Sequence, residues 1–201
     1  MARATPPALS LTDWVVLGLL AEAPRHGFAL AKELDRDTEL GGLWTVRRPL
    51  VYRAIDHLLE IGFAEPRFVE PGDHGPHRTV IAATRLGRSR LRRWLEQPVD
   101  HPRDVRATLL VKLSLRARRG DALAPLAQRQ LDEFADVQEG LSRRRRSSRR
   151  VEQLGTEWRY QANEAIRRFL EAILRDEPDL PGAPRRSVPS GRTAASERGS
   201  R

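Results

Sequence analysis

Arginine and tyrosine side chains on one predicted helix carry the clearest chemistry in this sequence. Val51, Ile55 and Leu58 recur at helical spacing within residues 49–61, which predicts a helix with one apolar face. A guanidinium can donate two parallel hydrogen bonds to a guanine edge, and arginine or tyrosine can also bond phosphates. The pattern indicates nucleic-acid contact, although an ordinary solvated helix face has the same composition. The face opposite the apolar residues presents Leu50, Arg53, His57 and Glu60, and it is flanked by Arg48 and Tyr52.

Short elements surround this helix on both sides. The apolar run from residue 11 to residue 20 predicts a first helix, with Thr12 as its N-cap and Pro24 beyond its end. A second helix is predicted for residues 26–35, where Phe28 is one of the apolar members at helical spacing. Two glycines at 41–42 are expected to break the chain before the third helix. Pro49 suits the first turn of that helix, and Gly62 suits the position after its end.

A β-hairpin and a fourth helix are predicted next. Strand-like runs at 63–69 and 77–82 flank a segment with two prolines and two glycines, which is typical of an exposed hairpin loop. Thr84 can cap a helix that ends before Pro98. Three short helices followed by a two-stranded ribbon are the plan of a winged helix-turn-helix, a fold that places one helix in a DNA major groove.

The second half of the sequence predicts longer helices. One is expected to run from about 105 to 120, another starts at 121, and the last carries Trp158, Ile166 and Ile173 at near-heptad spacing. Narrow apolar stripes of this kind need a partner, so we expect a homodimer through the C-terminal helices. The predicted fold class is mainly α with a small β-hairpin. The expected divisions are a flexible N-terminus (1–10), a winged helix-turn-helix domain (11–98), a helical dimerisation domain (103–176) and a disordered tail (177–201).

Composition narrows the classes of function. The chain has no cysteine, which excludes disulfides, thiolate metal sites and cysteine nucleophiles. The net charge is +9, but the first hundred residues carry 14 basic and 13 acidic side chains, so charge alone is weak support for nucleic-acid binding. No apolar run is long enough to span a bilayer, and no secretion signal is visible at the N-terminus. We therefore expect a cytoplasmic protein that does not bind membranes.

No enzyme signature is present. The sequence lacks a phosphate-binding glycine loop, a nucleophile elbow and a zincin helix. His74 and His77 have the spacing of metal ligands, but they lie in a Pro/Gly loop with no obvious third ligand. We predict no enzymatic activity, no metal and no cofactor.

Four segments in order resemble the PadR family of bacterial winged-helix transcriptional regulators. They cover roughly residues 11–176, and their coincidence is more specific than any one of them. The chain departs from the family pattern at 47–50, where Arg-Arg-Pro-Leu replaces Ser-Pro-Gly and a small polar residue. The matching segments are LGLLAEAPRHGF (17–28), LWTV (43–46) with VYRAIDHL (51–58), TRLGR (84–88) with WL (94–95), and DVR (104–106) with LLVKL (109–113).

The resemblance implies a homodimeric regulator, most simply a repressor, that binds a pseudo-palindromic double-stranded operator and is then nucleoid-associated. The resemblance places Tyr52 on the family's most persistent position in the third helix. It also implies that Lys32 lies against the DNA backbone and that His77 and Arg78 lie in the wing. Some PadR-like regulators bind flat aromatic compounds near the dimer interface, so Trp14 and Trp158 are candidates for an effector site, with simple packing as the alternative. The candidate DNA-binding residues are Lys32, Arg47, Arg48, Tyr52, Arg53, His57, His77 and Arg78.

Two alternatives stay open at this point. The same domain could be a protein-interaction module that does not read DNA, because its first hundred residues are nearly neutral and Leu50 cannot hydrogen-bond a base. The basic run at 143–146 and 149–150 could bind nucleic acid or anionic lipid, or it could be an exposed stretch of a long helix.

Overall fold

The computed structural model describes residues 9–71, 77–147 and 150–176. The predicted disordered tail, most of the predicted flexible N-terminus and His74 lie outside the described residues. The elements confirm the predicted fold class, with short helices and a β-hairpin followed by longer helices. None of the helices in the described ranges is both long enough and apolar enough to cross a membrane.

Helix α1 (Leu11–Glu22) begins with a capping box. The Ser10 hydroxyl accepts a hydrogen bond from the Asp13 backbone N–H at 3.2 Å, and the Asp13 carboxylate accepts one from the Ser10 backbone N–H at 2.8 Å. The prediction that Thr12 caps this helix is therefore wrong. Residues 15–20 are all buried, as expected for a helix that is apolar nearly all round.

The helix-turn-helix region contains one more helix than predicted. Strand β1 (Arg25–His26) leads into α2 (Gly27–Glu33), then α3 (Glu39–Leu43) and α4 (Arg48–Glu60). The two glycines at 41–42 lie inside α3, so the expected chain break there is wrong.

Gly41 is required in α3 by packing. A Cβ atom at this position would lie 1.7 Å from the Asp35 carbonyl oxygen, and the Thr38 hydroxyl that caps the helix accepts the Gly41 N–H at 3.0 Å. The glycine thus allows a close backbone approach and does not interrupt the helix.

The ends of α4 agree with the sequence signals. Pro49 lies in its first turn, and the N-cap residue Arg47 makes no side-chain capping bond. Gly62 follows the helix with φ +71°, in the left-handed region that favours glycine.

The wing is part of a three-stranded antiparallel sheet in the order β1-β3-β2. Strand β2 (Ala64–Glu70) pairs with β3 (Arg78–Ala83), and β1 adds to the other edge of β3 through Arg25 opposite Ile81. The predicted two-stranded ribbon is thus extended by a strand of two residues, which is too short to show a period in the sequence.

Helix α5 (Arg85–Glu96) starts and ends as predicted. The Thr84 hydroxyl oxygen accepts the Gly87 N–H at 3.0 Å and donates to the Gly62 carbonyl at 2.8 Å, so the cap also ties α5 to the end of α4. We call the part of the chain from α1 through α5 the winged unit.

The second half begins with a 3₁₀ turn (Pro102–Asp104) and a π-helical turn (Val105–Leu109). Helices α6 (Leu110–Arg118), α7 (Ala124–Ser147) and α8 (Arg150–Asp176) follow. Helix α6 serves two hydrophobic clusters: Val111 and Leu115 belong to the cluster of the winged unit, and Leu113 belongs to the cluster formed with α7 and α8.

Candidate nucleic-acid interface

The outer face of α4 is open to solvent. Its inner face, which includes Val51, Ile55 and Leu58, is buried in the cluster of the winged unit, and Arg53 is exposed on the other side. Tyr52 and Leu50 are each a little over 40% exposed. The helix is therefore held from behind, and the described chain does not cover the side chains that the sequence singled out.

Phe28 organises the basic residues around this helix. Its ring is 42% exposed, and two guanidinium groups lie over it, with the Arg48 Cζ 5.0 Å and the Arg78 Cζ 5.3 Å from the ring centroid. These arginines come from α4 and β3, so a single aromatic ring joins the N-terminus of α4 to the wing. The sequence pattern assigned Phe28 to the apolar face of its helix, and this interpretation is wrong because the ring lies at the surface.

The ring of Tyr52 is fixed against the start of α2. A Cβ atom at Gly27 would lie 2.6 Å from the Tyr52 Cε1, so the absence of a side chain at Gly27 allows this contact. The ring is half-buried by this packing, and no hydrogen bond from its hydroxyl to another group is found in the described ranges. The hydroxyl is thus available at the edge of the exposed face.

His57 does not project from the outer face, contrary to expectation. Its Nδ1 lies 3.3 Å from a carboxylate oxygen of Asp13, and its side chain is 30% exposed. The same carboxylate takes part in the capping box of α1, so the imidazole lies at the junction of α1 and α4. A DNA contact by His57 stays a prediction, with less freedom of the ring than the sequence suggested.

Positive charge is concentrated near the N-terminus of α4. Lys32, Arg47 and Arg53 are exposed, and none of them forms an ion pair within the part of the chain that the structure describes. His77 is exposed beside Arg78, whereas Asp56 and Glu60 lie towards the other end of α4. We call these exposed cations together the basic face; its members are Lys32, Arg47, Arg48, Arg53 and Arg78.

The helix backbone adds to this positive potential. The N-terminus of an α-helix carries a partial positive charge, and its first N–H groups are free to bond an anion. Because Arg47 provides no capping acceptor, no side chain occupies that position on α4. Pro49 has no N–H, and the Leu50 N–H donates to the Arg47 carbonyl at 2.9 Å, so α4 adds the potential of its N-terminus more than a set of free donors.

The two candidate effector residues lie in different surroundings. Trp14 stacks on Trp94, with centroids 4.7 Å apart and planes 5° from parallel, and packs against the cluster of the winged unit. Trp158 is 74% exposed and lines a groove of about 1150 Å³ along α7 and α8, which we call the apolar groove. One chain therefore does not bring these tryptophans together in a single pocket. Other apolar residues that line the groove are Val105, Leu110, Val137, Leu141, Ile166 and Phe169.

No group of three or more histidine, aspartate or glutamate side chains that could hold a metal ion occurs among the described residues. His77 is exposed at the start of β3, and His74 lies outside the described ranges.

Comparison with known proteins finds a family model that matches most of the winged unit. Residues 16–93 match the model of the transcriptional regulator PadR-like family. A probable transcriptional regulator of Mycobacterium tuberculosis (strain ATCC 25618 / H37Rv), Rv1176c, is 29% identical over 102 residues. The match covers 50% of this chain and 52% of the relative, so the chain spans about half the length of that protein.

Two solved structures are similar to this chain at low sequence identity. Bacillus subtilis PadR in complex with operator DNA is 18% identical, with a TM-score of 0.43, over 83% of this chain and 98% of that chain. The virulence activator AphA of Vibrio cholerae is 19% identical, with a TM-score of 0.35, over 83% of this chain and 97% of that chain.

Proposed function

Because residues 16–93 carry a domain of the PadR-like family, whose members are transcriptional regulators and not enzymes, we propose that this protein is a DNA-binding repressor that places α4 in the major groove of an operator. The observation that carries the proposal is the basic face. Arg48 and Arg78 lie over the exposed Phe28 ring, and Lys32, Arg47 and Arg53 are exposed as well. None of these five cations has an ion-pair partner among the described residues.

Each part of the basic face has a distinct role in this proposal. Arg53, at the centre of the outer face, reads a base edge, because a guanidinium can discriminate guanine by two hydrogen bonds. Tyr52 and Arg48 bond phosphates and fix the depth of α4 in the groove. Lys32 on α2 and the wing residues Arg78 and His77 bind the flanking backbone.

A second copy of the chain is the proposed partner of the apolar groove. Trp158 and Leu154 are each more than 70% exposed, and Phe169 is 40% exposed, which is unusual for large apolar side chains. A homodimer through α7 and α8 covers them and presents two α4 helices to half-sites about 10 base pairs, or a multiple of that, apart. Sedimentation at low concentration is expected to give a dimer, and a stable monomer contradicts this part of the proposal.

A flat aromatic compound is the proposed effector, bound at Trp158 where the second copy meets the edge of the apolar groove. Such a ligand changes operator affinity only if it binds with different affinities to two conformations of the dimer, one that binds the operator and one that does not. Trp14 has no role in this site within one chain, because its ring is stacked on Trp94.

The second candidate function is a protein-interaction module. Leu50 is 43% exposed in the first turns of α4 and cannot hydrogen-bond a base, so it favours an apolar contact at the same face. Salt dependence separates the two functions. If the five cations of the basic face each neutralise a phosphate, log K falls with log salt concentration with a slope of about −4 to −5 per protomer.

The test is titration of the full chain with DNA from upstream of its own gene, over a series of NaCl concentrations. Arg53→Ala is expected to weaken binding by about 1–3 kcal/mol, since it removes a base contact. Arg93→Ala is the matched control, because Arg93 is an exposed arginine on α5 outside the basic face. A flat salt response, together with unchanged binding by Arg53→Ala, refutes DNA reading and supports the interaction module.

A further inference from the structure

Five arginines line a second site, which shares no residue with the basic face. They surround a cavity of about 570 Å³ between α5 and α6, with the end of α1 contributing Ala21 and Glu22. We call this cavity the arginine recess. The arginines are Arg85, Arg88 and Arg92 of α5, Arg118 of α6 and Arg119 just after it.

The α5 wall of the recess has uncompensated charge. Arg85, Arg88 and Arg92 follow one another at i, i+3 and i+7, so they lie on one face of the helix along about 10 Å. All three are exposed, and none of them forms an ion pair or a side-chain hydrogen bond in the described ranges. Like charges at this spacing repel one another, and an anion between them relieves the repulsion.

The opposite wall is held in place by its own ion pairs. Arg118 donates hydrogen bonds to both carboxylate oxygens of Glu22 at 2.8 and 2.9 Å, and it lies 2.9 Å from Glu33. Arg119 donates to Asp121 at 2.8 Å. Glu22 is the one acidic residue in the lining, and it pairs with Arg118 and Arg25, so it does not compensate the charge of the α5 wall.

The lining also defines the chemistry of the ligand. Arginine forks match phosphate oxygens in pairs, which favours phosphate groups over smaller or weakly charged anions. Ala21 is the only apolar residue among the seven that line the recess, and no aromatic residue is among them, so neither a ring nor an apolar body finds a contact inside. A ligand that fills this space must be charged along its length.

We propose that the arginine recess binds a chain of phosphate groups that belongs to a small diffusible ligand. Its arginines come from two helices around a cavity of about 570 Å³, which is the size of a small anion and not of a DNA duplex. An inorganic oligophosphate and the phosphate chain of a nucleotide share this chemistry.

The test is calorimetric titration of the full chain with inorganic tripolyphosphate, with the ionic strength held constant by NaCl. We expect saturable binding of one tripolyphosphate per protomer. Arg88→Ala and Arg92→Ala are each expected to weaken it at least tenfold, and Arg93→Ala, the exposed arginine on another face of α5, by less than twofold. A nucleoside triphosphate that binds as tightly as tripolyphosphate shows that the phosphate chain alone is recognised; tighter binding identifies a nucleotide whose base contacts the rim of the recess.

Two results overturn the proposal. If Arg93→Ala weakens tripolyphosphate binding as much as the recess variants do, or if no saturable binding occurs, the recess is only a solvated basic surface. If tripolyphosphate does not bind but Arg88→Ala and Arg92→Ala weaken operator binding and lower its salt slope, the recess contacts DNA backbone. Arg53→Ala separates this proposal from the proposed DNA-binding function. The variant is expected to retain tripolyphosphate binding in full, whatever its effect on operator binding.

Discussion

One buried amide ties the linker between the winged unit and the helical half to α7. Gln130 of α7 is fully buried, and its side-chain oxygen accepts the backbone N–H of Val99 at 2.7 Å while its side-chain nitrogen donates to the Val99 carbonyl at 2.9 Å. Val99 is itself only 6% exposed. A single side chain thus satisfies both backbone groups of a buried linker residue.

Gln130→Ala is expected to destabilise the protein strongly. The substitution leaves a buried N–H and a buried carbonyl without partners, and each such loss costs about 1–3 kcal/mol. Allowing for partial relaxation, the free energy of unfolding should fall by about 2–4 kcal/mol. For a chain of this size, that corresponds to a decrease in Tm of roughly 5–15 °C.

Gln128 provides the matched control on the same helix. It is exposed and donates to Asp132 at 2.9 Å, so Gln128→Ala is expected to change the free energy of unfolding by less than about 0.5 kcal/mol. Arg129→Ala should have an intermediate effect, because Arg129 donates to the Glu96 carbonyl at 2.9 Å from an exposed position. Urea unfolding followed by circular dichroism measures all three variants. If Gln130→Ala unfolds within 0.5 kcal/mol of the wild type, the linker does not depend on this amide and the reasoning is wrong.

Two further predictions address the basic face and the buried lysine. Phe28→Leu should weaken operator binding about 5- to 30-fold in fluorescence anisotropy, because cation–π contacts to Arg48 and Arg78 contribute about 0.5–1 kcal/mol each, and Phe28→Tyr should bind like the wild type. Burial lowers the pKa of Lys112 to about 8, against an opposing effect of Asp100. The pKa of this lysine is near 10.5 in the unfolded chain, so the unfolded chain binds more protons than the folded one between about pH 8 and 10.5. The free energy of unfolding of the wild type, relative to that of Lys112→Met, should therefore rise with pH across that window in urea unfolding. A flat difference between these two proteins would show that the ammonium is not desolvated.

Local signals explain the parts of the fold that could be predicted. The end of α4 at Gly62 and the start of α5 at Thr84 follow from residues whose backbone or hydroxyl chemistry acts within three positions. Helix α3 could not be predicted, because a glycine at position 41 is typical of a chain break. Only the structure shows that the Gly41 backbone lies too close to the Asp35 carbonyl for any side chain. Strand β1 exists only because β3 offers it a free edge.

The candidate site shows the same division between local and distant causes. Arg48, Tyr52 and Arg53 could be singled out from one helix. The role of Phe28 depends on Arg48 and Arg78, which are 20 and 50 positions away, and the helix that carries it, Gly27–Glu33, is too short for its period to define a face.

The orientation of His57 also has a distant cause. Its imidazole is turned inwards by Asp13, which lies 44 positions earlier in the chain. Helical spacing predicts which face a residue occupies, but it does not predict a partner on another element.

The contacts of α6 determine how the two halves of this molecule can influence each other. A Cβ atom added at Gly18 would lie only 2.8 Å from the two Leu115 methyl carbons, so α6 packs directly on the α1 backbone. Arg118 adds bonds to Glu22 and Glu33 on α1 and α2. Since Leu113 of the same helix packs with residues of α7 and α8, we expect a movement of α7 and α8 to be passed to the winged unit through α6. We therefore expect a ligand in the apolar groove to change the distance between the two α4 helices of a dimer and to leave the shape of α4 unaltered.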